Sequence, residues 1–485
     1  MTAENYDAVI AGASIGGLVT AAVLANRGLR VAVTDPLQQP GSRWGSTNYQ
    51  GYWINWGHRD GHGISDLMIA EKYLQRASSE AGITIPIKRG GYGDRFRVHS
   101  LPDGTARELT YHQMLSRGND TSAYRLAVDI YGRSSLTEAE RDKVAADLQT
   151  ASGLLSEAGQ DGVDRTLVSL TEWMSQHGIS DDVRVILINQ AESTACSPGE
   201  EASVGRLAAH RAAHISVPGP TQDPEAGGMQ TIVQAFTRRI TELGGDLYLG
   251  WKPFEVLTGA DDQVIGLVAI NQSNLVREFA CPVVVTDYPG WELPSLIDRQ
   301  LLPPQFIERA EAVRESMGDV AGWVAGLNRL PSIRATGEVD DNPSWNRIIY
   351  GAGPIKRYHG GWHFPSLHQD NTAPEGKHLL HMAIGHPSIY RGWREIKHAI
   401  DVNVSYIGSF YADLDDCVEW SHDQYVTAPQ VEAWYLKTVK RHPVKVPTVT
   451  GLYCASATAE TQGGWASAEI DAALQVLDLL AVEMF

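Results

Sequence analysis

The opening stretch, YDAVIAGASIGGLVTAAVLANRGLRVAVTDP, restricts the possible folds more than any other part of the chain. Ala8–Ala11 reads as a short buried strand, Gly12–Gly17 as a glycine turn, and Leu18–Arg27 as a helix of small residues. Gly28 ends that helix, and Leu29–Thr34 forms a second buried strand that stops at Asp35. A strand–helix–strand unit of about 30 residues implies a right-handed crossover between parallel strands. The class expected is therefore α/β.

The turn is GxSxxG, with Gly12, Ser14 and Gly17, where the usual fingerprint is GxGxxG. In that fingerprint the first glycine permits the tight turn and the second lets the backbone approach a pyrophosphate. The third lets the helix pack on the strand. Ser14 adds a hydroxymethyl group at the middle position, which could crowd a phosphate or hydrogen-bond to it. The helix N-terminus still presents free N–H groups to an anion. Asp35 supplies the acid expected about 20 residues further on, placed to hold a ribose hydroxyl pair. With strand, turn, helix and acid in register, a dinucleotide site is favoured over a purely structural turn.

Among its 485 residues the chain carries 58 acids against 40 bases, a formal net charge of −18. Such a field repels phosphate backbones and anionic lipid, which argues against nucleic acid and electrostatic membrane attachment as partners. Cys196, Cys281, Cys417 and Cys454 lie far apart with no CxxC pair, which reads as a reduced, cytoplasmic compartment. The apolar run Ala8–Ala25 is long enough to resemble a membrane span. Glu4 and Asp7 precede it and Gly12, Gly16 and Gly17 interrupt it, so strand plus helix is the better reading and no integral membrane segment is expected.

Further along, residues 66–214 read as helical and charged, and PGPTQDPEAGG at 218–228 is a boundary loop. A helix (Met229–Leu243), a Gly244–Gly245 turn and the β runs DLYLG, KPFEVLTG, QVIGLVAI and PVVVTD follow. A helix and then a strand are expected over 294–334, and 345–420 is dense in Trp, Tyr, His and Gly. A strand (Gly451–Ala455), a glycine turn (Thr461–Gly464) and a closing helix (Ala466–Phe485) complete the reading. No metal site is expected. His210 and His214 have helical ligand spacing, but Arg211 stands where HExxH has its glutamate, and His58 and His62 lie in a glycine-rich loop.

Four separated blocks resemble one family. PGSRWGSTNYQGYWINWGH resembles the second FAD motif of phytoene desaturases and flavin amine oxidases, with Gly41, Arg43, Thr47, Gly51 and Gly57 matching and Asn55 where the family prefers Asp. PEAGGMQTIVQAFTRRITELGGDLYLGWKPFEVL is similar to the family's P-x-GGM…GG-x-I…V-x-x-I block. NTAPEGKHLL resembles the desaturase branch's APxGxH stretch. VPTVTGLYCASATAETQGGWASAEIDAAL resembles its C-terminal motif, with Ser456–Ala457 in place of the family's Gly–Asp pair. The resemblance is to the phytoene desaturase and carotenoid isomerase branch of the flavin amine oxidase-like superfamily.

That resemblance implies a glutathione-reductase-like, Rossmann-like FAD-binding domain from discontinuous segments (1–75, 218–293 and 440–485). An α+β substrate domain with a helical part is inserted (76–217 and 294–439). It implies noncovalent FAD held by Gly12, Ser14, Ile15, Gly16, Gly17 and Asp35. Arg43 lies along the pyrophosphate and Trp56, Gly57 and His58 beside the flavin. Phe254 and Val256 pass the adenosine half, and Ser456, Gly464, Trp465 and Ala466 form the closing motif. The region 350–390 would form the substrate wall, with Tyr358, His359, His363 or Tyr390 as proton acceptor. The helical insertion is strewn with Glu, Asp and Arg and lacks a long apolar face, favouring a small hydrophobic or cyclic substrate such as an alicyclic or terpenoid compound. The expected reaction is dehydrogenation of a C–C bond, with oxygen or a carrier as electron acceptor. Double-bond isomerisation without net redox and a flavin-poor binding protein, as in Rab GDP-dissociation inhibitors, stay open. So does the oligomeric state, homo- or hetero-.

Overall fold

A computed structural model describes residues 4–42, 44–55, 69–85, 87–89, 95–101, 105–110, 121–132, 135–158, 164–195, 199–212, 215–218, 226–315, 320–342, 345–350, 357–367, 369, 371–384, 393–426, 438–462 and 466–484. The apolar run at the start is strand β1 (Ala8–Ala11), and helix α1 covers Ile15–Asn26. Strand β2 (Val31–Asp35) pairs with β1 in parallel, Ala8 facing Val31 and Ala11 facing Thr34. From Ile15 to Ala25 every residue of α1 is buried, which is why small side chains crowd its sequence.

Far along the chain come helix α2 (Gln230–Glu242), β3 (Asp246–Leu249), β4 (Val284–Thr286), β5 (Leu452–Cys454) and the closing helix α3 (Ala466–Met484). They join the first unit in one five-stranded parallel sheet of order β3-β2-β1-β4-β5. β1, β2, β4 and β5 are buried at every position and read as largely apolar runs, whereas the edge strand β3 is only partly buried. The order reverses between β1 and β4, and the carboxyl ends on either side of that point are where an open α/β sheet binds ligands. Helix α1 packs on α2 and α3, and Arg27 Nη1 donates to the Leu477 carbonyl (3.1 Å).

Ser46–Tyr49 and Tyr52–Asn55 form an antiparallel hairpin in which Thr47 faces Ile54. Gln50 and Gly51 both take positive φ (54° and 86°), the two-residue turn that suits the twist of a hairpin. A second, four-stranded sheet sets Glu4–Asn5 beside Val276–Ala280, Val264–Asn271 and Trp251–Thr258.

The third large sheet has seven strands, in the order 418–426, 320–327, 378–383, 357–363, 345–350, 95–101 and 105–110. Helix Trp393–Phe410 covers it, burying Ile396, Ile400 and Ile407 against Trp362 and Met382. Helices Glu71–Ala81, Thr121–Tyr131, Glu138–Glu157, Leu170–Gln176, Asp181–Ala195 and Val204–Ala212 fit the helical reading of 66–214, which the strands Ile87–Arg89, Arg95–Leu101 and Thr105–Thr110 interrupt. RFRVHSL is held in place by parallel pairing with Trp345–Tyr350, a partner about which local sequence says nothing.

A buried ion pair ties this sheet together. Arg97 grips Asp340 with two nitrogens (2.8 and 3.1 Å), and the Tyr411 hydroxyl donates to Asp340 Oδ2 (2.6 Å) while accepting from Trp362 Nε1 (3.0 Å). Asp340→Asn removes the charge that Arg97 faces and should lower unfolding stability by about 2 kcal/mol in urea titration. An unchanged midpoint would mean that water or another group takes over the guanidinium.

Candidate dinucleotide site

The glycine turn lies at the carboxyl end of β1. Gly12 has φ +116° and donates its N–H to the Thr34 carbonyl (2.8 Å). A Cβ on Gly16 would stand 2.1 Å from the Ala455 carbonyl oxygen, and one on Gly17 2.4 Å from that of Gly12. These two glycines serve close backbone packing, of α1 on the end of β5 and on its own turn.

Asp35 is buried at the end of β2. Its Oδ2 accepts from Ala13 N–H (2.8 Å) and Ser42 Oγ (2.8 Å), and its Oδ1 accepts from Leu37 N–H (2.8 Å). Ser42, next to the expected pyrophosphate arginine, thus reaches the acid expected to hold the ribose.

Two further carboxylates reach the start of α1. Asp287, just past β4, accepts from Ser14 N–H at 2.6 Å. Glu469, in the first turn of α3, accepts from Ser14 Oγ at 2.7 Å and from Gly16 N–H at 3.2 Å. Both acids are buried. A helix start leaves several N–H groups without intrahelical partners and attracts negative charge. Here that charge comes from the chain itself. Ser14 does not use its hydroxyl to cap α1 and turns it toward Glu469.

Neither Asp287 nor Glu469 is among the cofactor residues that the motifs imply. A signal for the first was present: VVVTD at 283–287 repeats the strand-end acid of VAVTD at 31–35. The other expected residues are more dispersed. Phe254 is half exposed on the four-stranded sheet, whereas Val256 is buried and donates its N–H to the Leu296 carbonyl (2.6 Å). Ser456 is buried with its Oγ 2.7 Å from Thr458 Oγ1. Ala466 begins α3, and the carbonyl of Ala457 accepts from Arg441 Nη1 (2.7 Å).

His363 is buried in the seven-stranded sheet, its ring 4.9 Å from that of Trp345 and 5.7 Å from that of His381. Burial lowers the His381 pKa to about 4. Tyr358 and His359 belong to strand Arg357–His363, but their side chains, together with Arg43, Trp56, Gly57, His58, Gly464, Trp465 and Tyr390, lie outside the described residues.

Residues 10–74 match the sequence model of the NAD(P)-binding Rossmann-like domain. The unit around Gly12 and Asp35 is a Rossmann unit. By sequence, no curated protein matches the chain. Among solved structures, an oxidoreductase from Methanosarcina mazei is similar at TM-score 0.65 and 16% identity, over 97% of this chain and 99% of that one. Cyclohexylamine oxidase from Brevibacterium oxydans IH-35A is similar at TM-score 0.59 and 14% identity, over 99% of each chain. A Rab GDI from Plasmodium falciparum is similar at TM-score 0.54 and 12% identity, over 99% of this chain and 98% of that one. At such identities the likeness is one of fold, and that fold runs nearly end to end.

The backbone frame of this site fits a dinucleotide: a positive-φ glycine, a helix start and a strand-end acid meet at the sheet's switch point. The diphosphate position fits less directly, because Asp287 and Glu469 already take donors there.

Proposed function

We propose that the chain binds FAD noncovalently and acts as a flavin-dependent oxidoreductase on a small hydrophobic or alicyclic molecule. The observation that carries this reading is the register of Gly12, the α1 start and Asp35 at the switch point of a parallel sheet. End-to-end likeness to oxidoreductases supports it. Bound FAD supplies a two-electron acceptor for hydride leaving a C–H bond. The protein's part is to orient that bond and to take the accompanying proton. We assign the proton to a Tyr or His among Tyr358, His359, His363 and Tyr390, with oxygen or a carrier as final acceptor. Dehydrogenation of a C–C bond is the reaction favoured by the desaturase-like blocks at 218–257 and 371–380.

The purified protein should be yellow and release free flavin on denaturation. A colourless protein that takes up no flavin from excess FAD would end this reading. With a cyclic ketone or terpenoid added anaerobically, the flavin should bleach. Sustained product formation without an acceptor and without bleaching would replace oxidation by isomerisation. A second reading, a flavin-poor binding protein, draws support from the carboxylates Asp287 and Glu469 at the α1 start and from the Rab GDI likeness.

A further inference from the structure

Helix α1 begins with Ser14 as its N-cap, and the cap's side chain makes no bond to the helix it starts. A dinucleotide in a Rossmann unit places its diphosphate against these same N–H groups. Ser14 N–H is held by Asp287, and Ser14 Oγ and Gly16 N–H are held by Glu469. Both carboxylates are supplied from far along the chain, by the end of β4 and the first turn of α3. A Cβ placed on Gly12 would lie 1.7 Å from Asp287 Oδ1, so this acid sits directly against the turn. A phosphate group arriving at that place meets two anions already engaged with its donors.

We propose that Glu469, backed by Asp287, is a built-in competitor for the cofactor's diphosphate, so that binding proceeds by exchange of one anion for another at the α1 start. This inference rests on the dinucleotide reading of the site. Glu469 is the adjustable member. It reaches the turn through the longer of the two side chains, from helix α3, whereas Asp287 is fixed at a strand end whose own N–H donates to the Ala11 carbonyl (3.1 Å). Part of the cofactor's binding energy is therefore spent on displacing Glu469. The penalty falls only on ligands that carry the diphosphate; adenosine and riboflavin, which lack it, do not contest the site.

The test uses the full chain as wild type, Glu469→Ala and Glu469→Gln, with FAD, ADP, adenosine and riboflavin as probes. Flavin binding is read by fluorescence quenching and the other two ligands by calorimetry. Glu469→Ala should tighten FAD and ADP by about tenfold or more, the order expected when a charge-assisted bond no longer has to be surrendered. Adenosine and riboflavin should be unchanged. Glu469→Gln removes the charge at nearly constant volume and should give a smaller gain in the same direction. It carries the test if the alanine variant melts early. Unchanged or weaker FAD and ADP binding in both variants would overturn the proposal and leave the flavin reading intact. Tighter ADP with no FAD binding in any form would uphold the exchange and remove the flavin. Binding of neither ligand by any form would overturn both.

Discussion

Unfolding stability should fall steeply as pH drops from 7 to 5, because several histidines are held neutral inside the protein. Burial lowers the pKa of His99, His381 and His442 to about 4 in each case. For His99, Arg97 adds to the effect, while Asn346 and Asp340 oppose it; for His442, Arg441 and Arg309 add to it. His99 Nε2 lies 3.0 Å from Asn346 Oδ1, with Nδ1 3.0 Å from the Tyr406 hydroxyl, an arrangement that a neutral ring satisfies with one donor and one acceptor. His442 is similarly held, 2.8 Å from Thr458 Oγ1 and 2.9 Å from the Pro443 carbonyl.

An unfolded histidine titrates near 6.5, so between about 6.5 and 4 the unfolded chain binds more protons than the folded one. Stability is therefore complete above that window and is lost as pH falls through it. Each group contributes about 2 kcal/mol of loss by pH 5, and the three together about 6 kcal/mol. Urea titrations at fixed ionic strength from pH 7.5 to 5 would measure the fall. A flat profile would show that protonation is accommodated without unfolding, and His381→Gln should reduce the slope if the assignment is right.

The second large effect is expected at the glycine turn. Gly12→Ala puts a side chain at φ +116°, a conformation that L residues rarely adopt, and drives its Cβ into the Asp287 carboxylate. Backbone strain and the displaced bond from Ser14 N–H together should cost about 4 kcal/mol. Because Asp287 provides part of the collision, Asp287→Gly in the same chain should recover some of the loss. Thermal melts of the single and double variants would measure the coupling. If the double variant is no more stable than Gly12→Ala, backbone strain alone sets the cost.

What could be read in the sequence was local. The glycine turn, the buried strands on either side of it and the strand-end acid all carry their signals within a few residues of one another. The β runs after residue 245 alternate or stay apolar in ways that need no partner to interpret. Strand Arg95–Leu101 is different. Its polar, basic sequence is held in the seven-stranded sheet by Trp345–Tyr350, and the stabilising contacts come from that distant segment. The pairing of two carboxylates with the α1 start is hidden for the same reason, although VVVTD at 283–287 marks Asp287 itself as a strand-end acid. Ser14 and Asp287 are separated by 273 positions, and Ser14 and Glu469 by 455. Only the fold brings them together. The motif at 463–465, which carries part of the expected cofactor contact, lies outside the described residues.

The five-stranded sheet draws on three distant parts of the chain, and this bears on how the protein can be made. During synthesis β1, α1 and β2 emerge first, yet α1 keeps its apolar sides uncovered until α2 and then α3 arrive. Strand β5 and helix α3 leave the ribosome after the entire seven-stranded sheet has been translated. That sheet can settle early, while the Rossmann half waits with an unfinished edge at β4. Such long-range closure is slow and leaves sticky surface exposed in the interval. Heterologous expression should thus be limited by chaperone supply during this waiting period, and slower translation at lower temperature should raise the soluble yield.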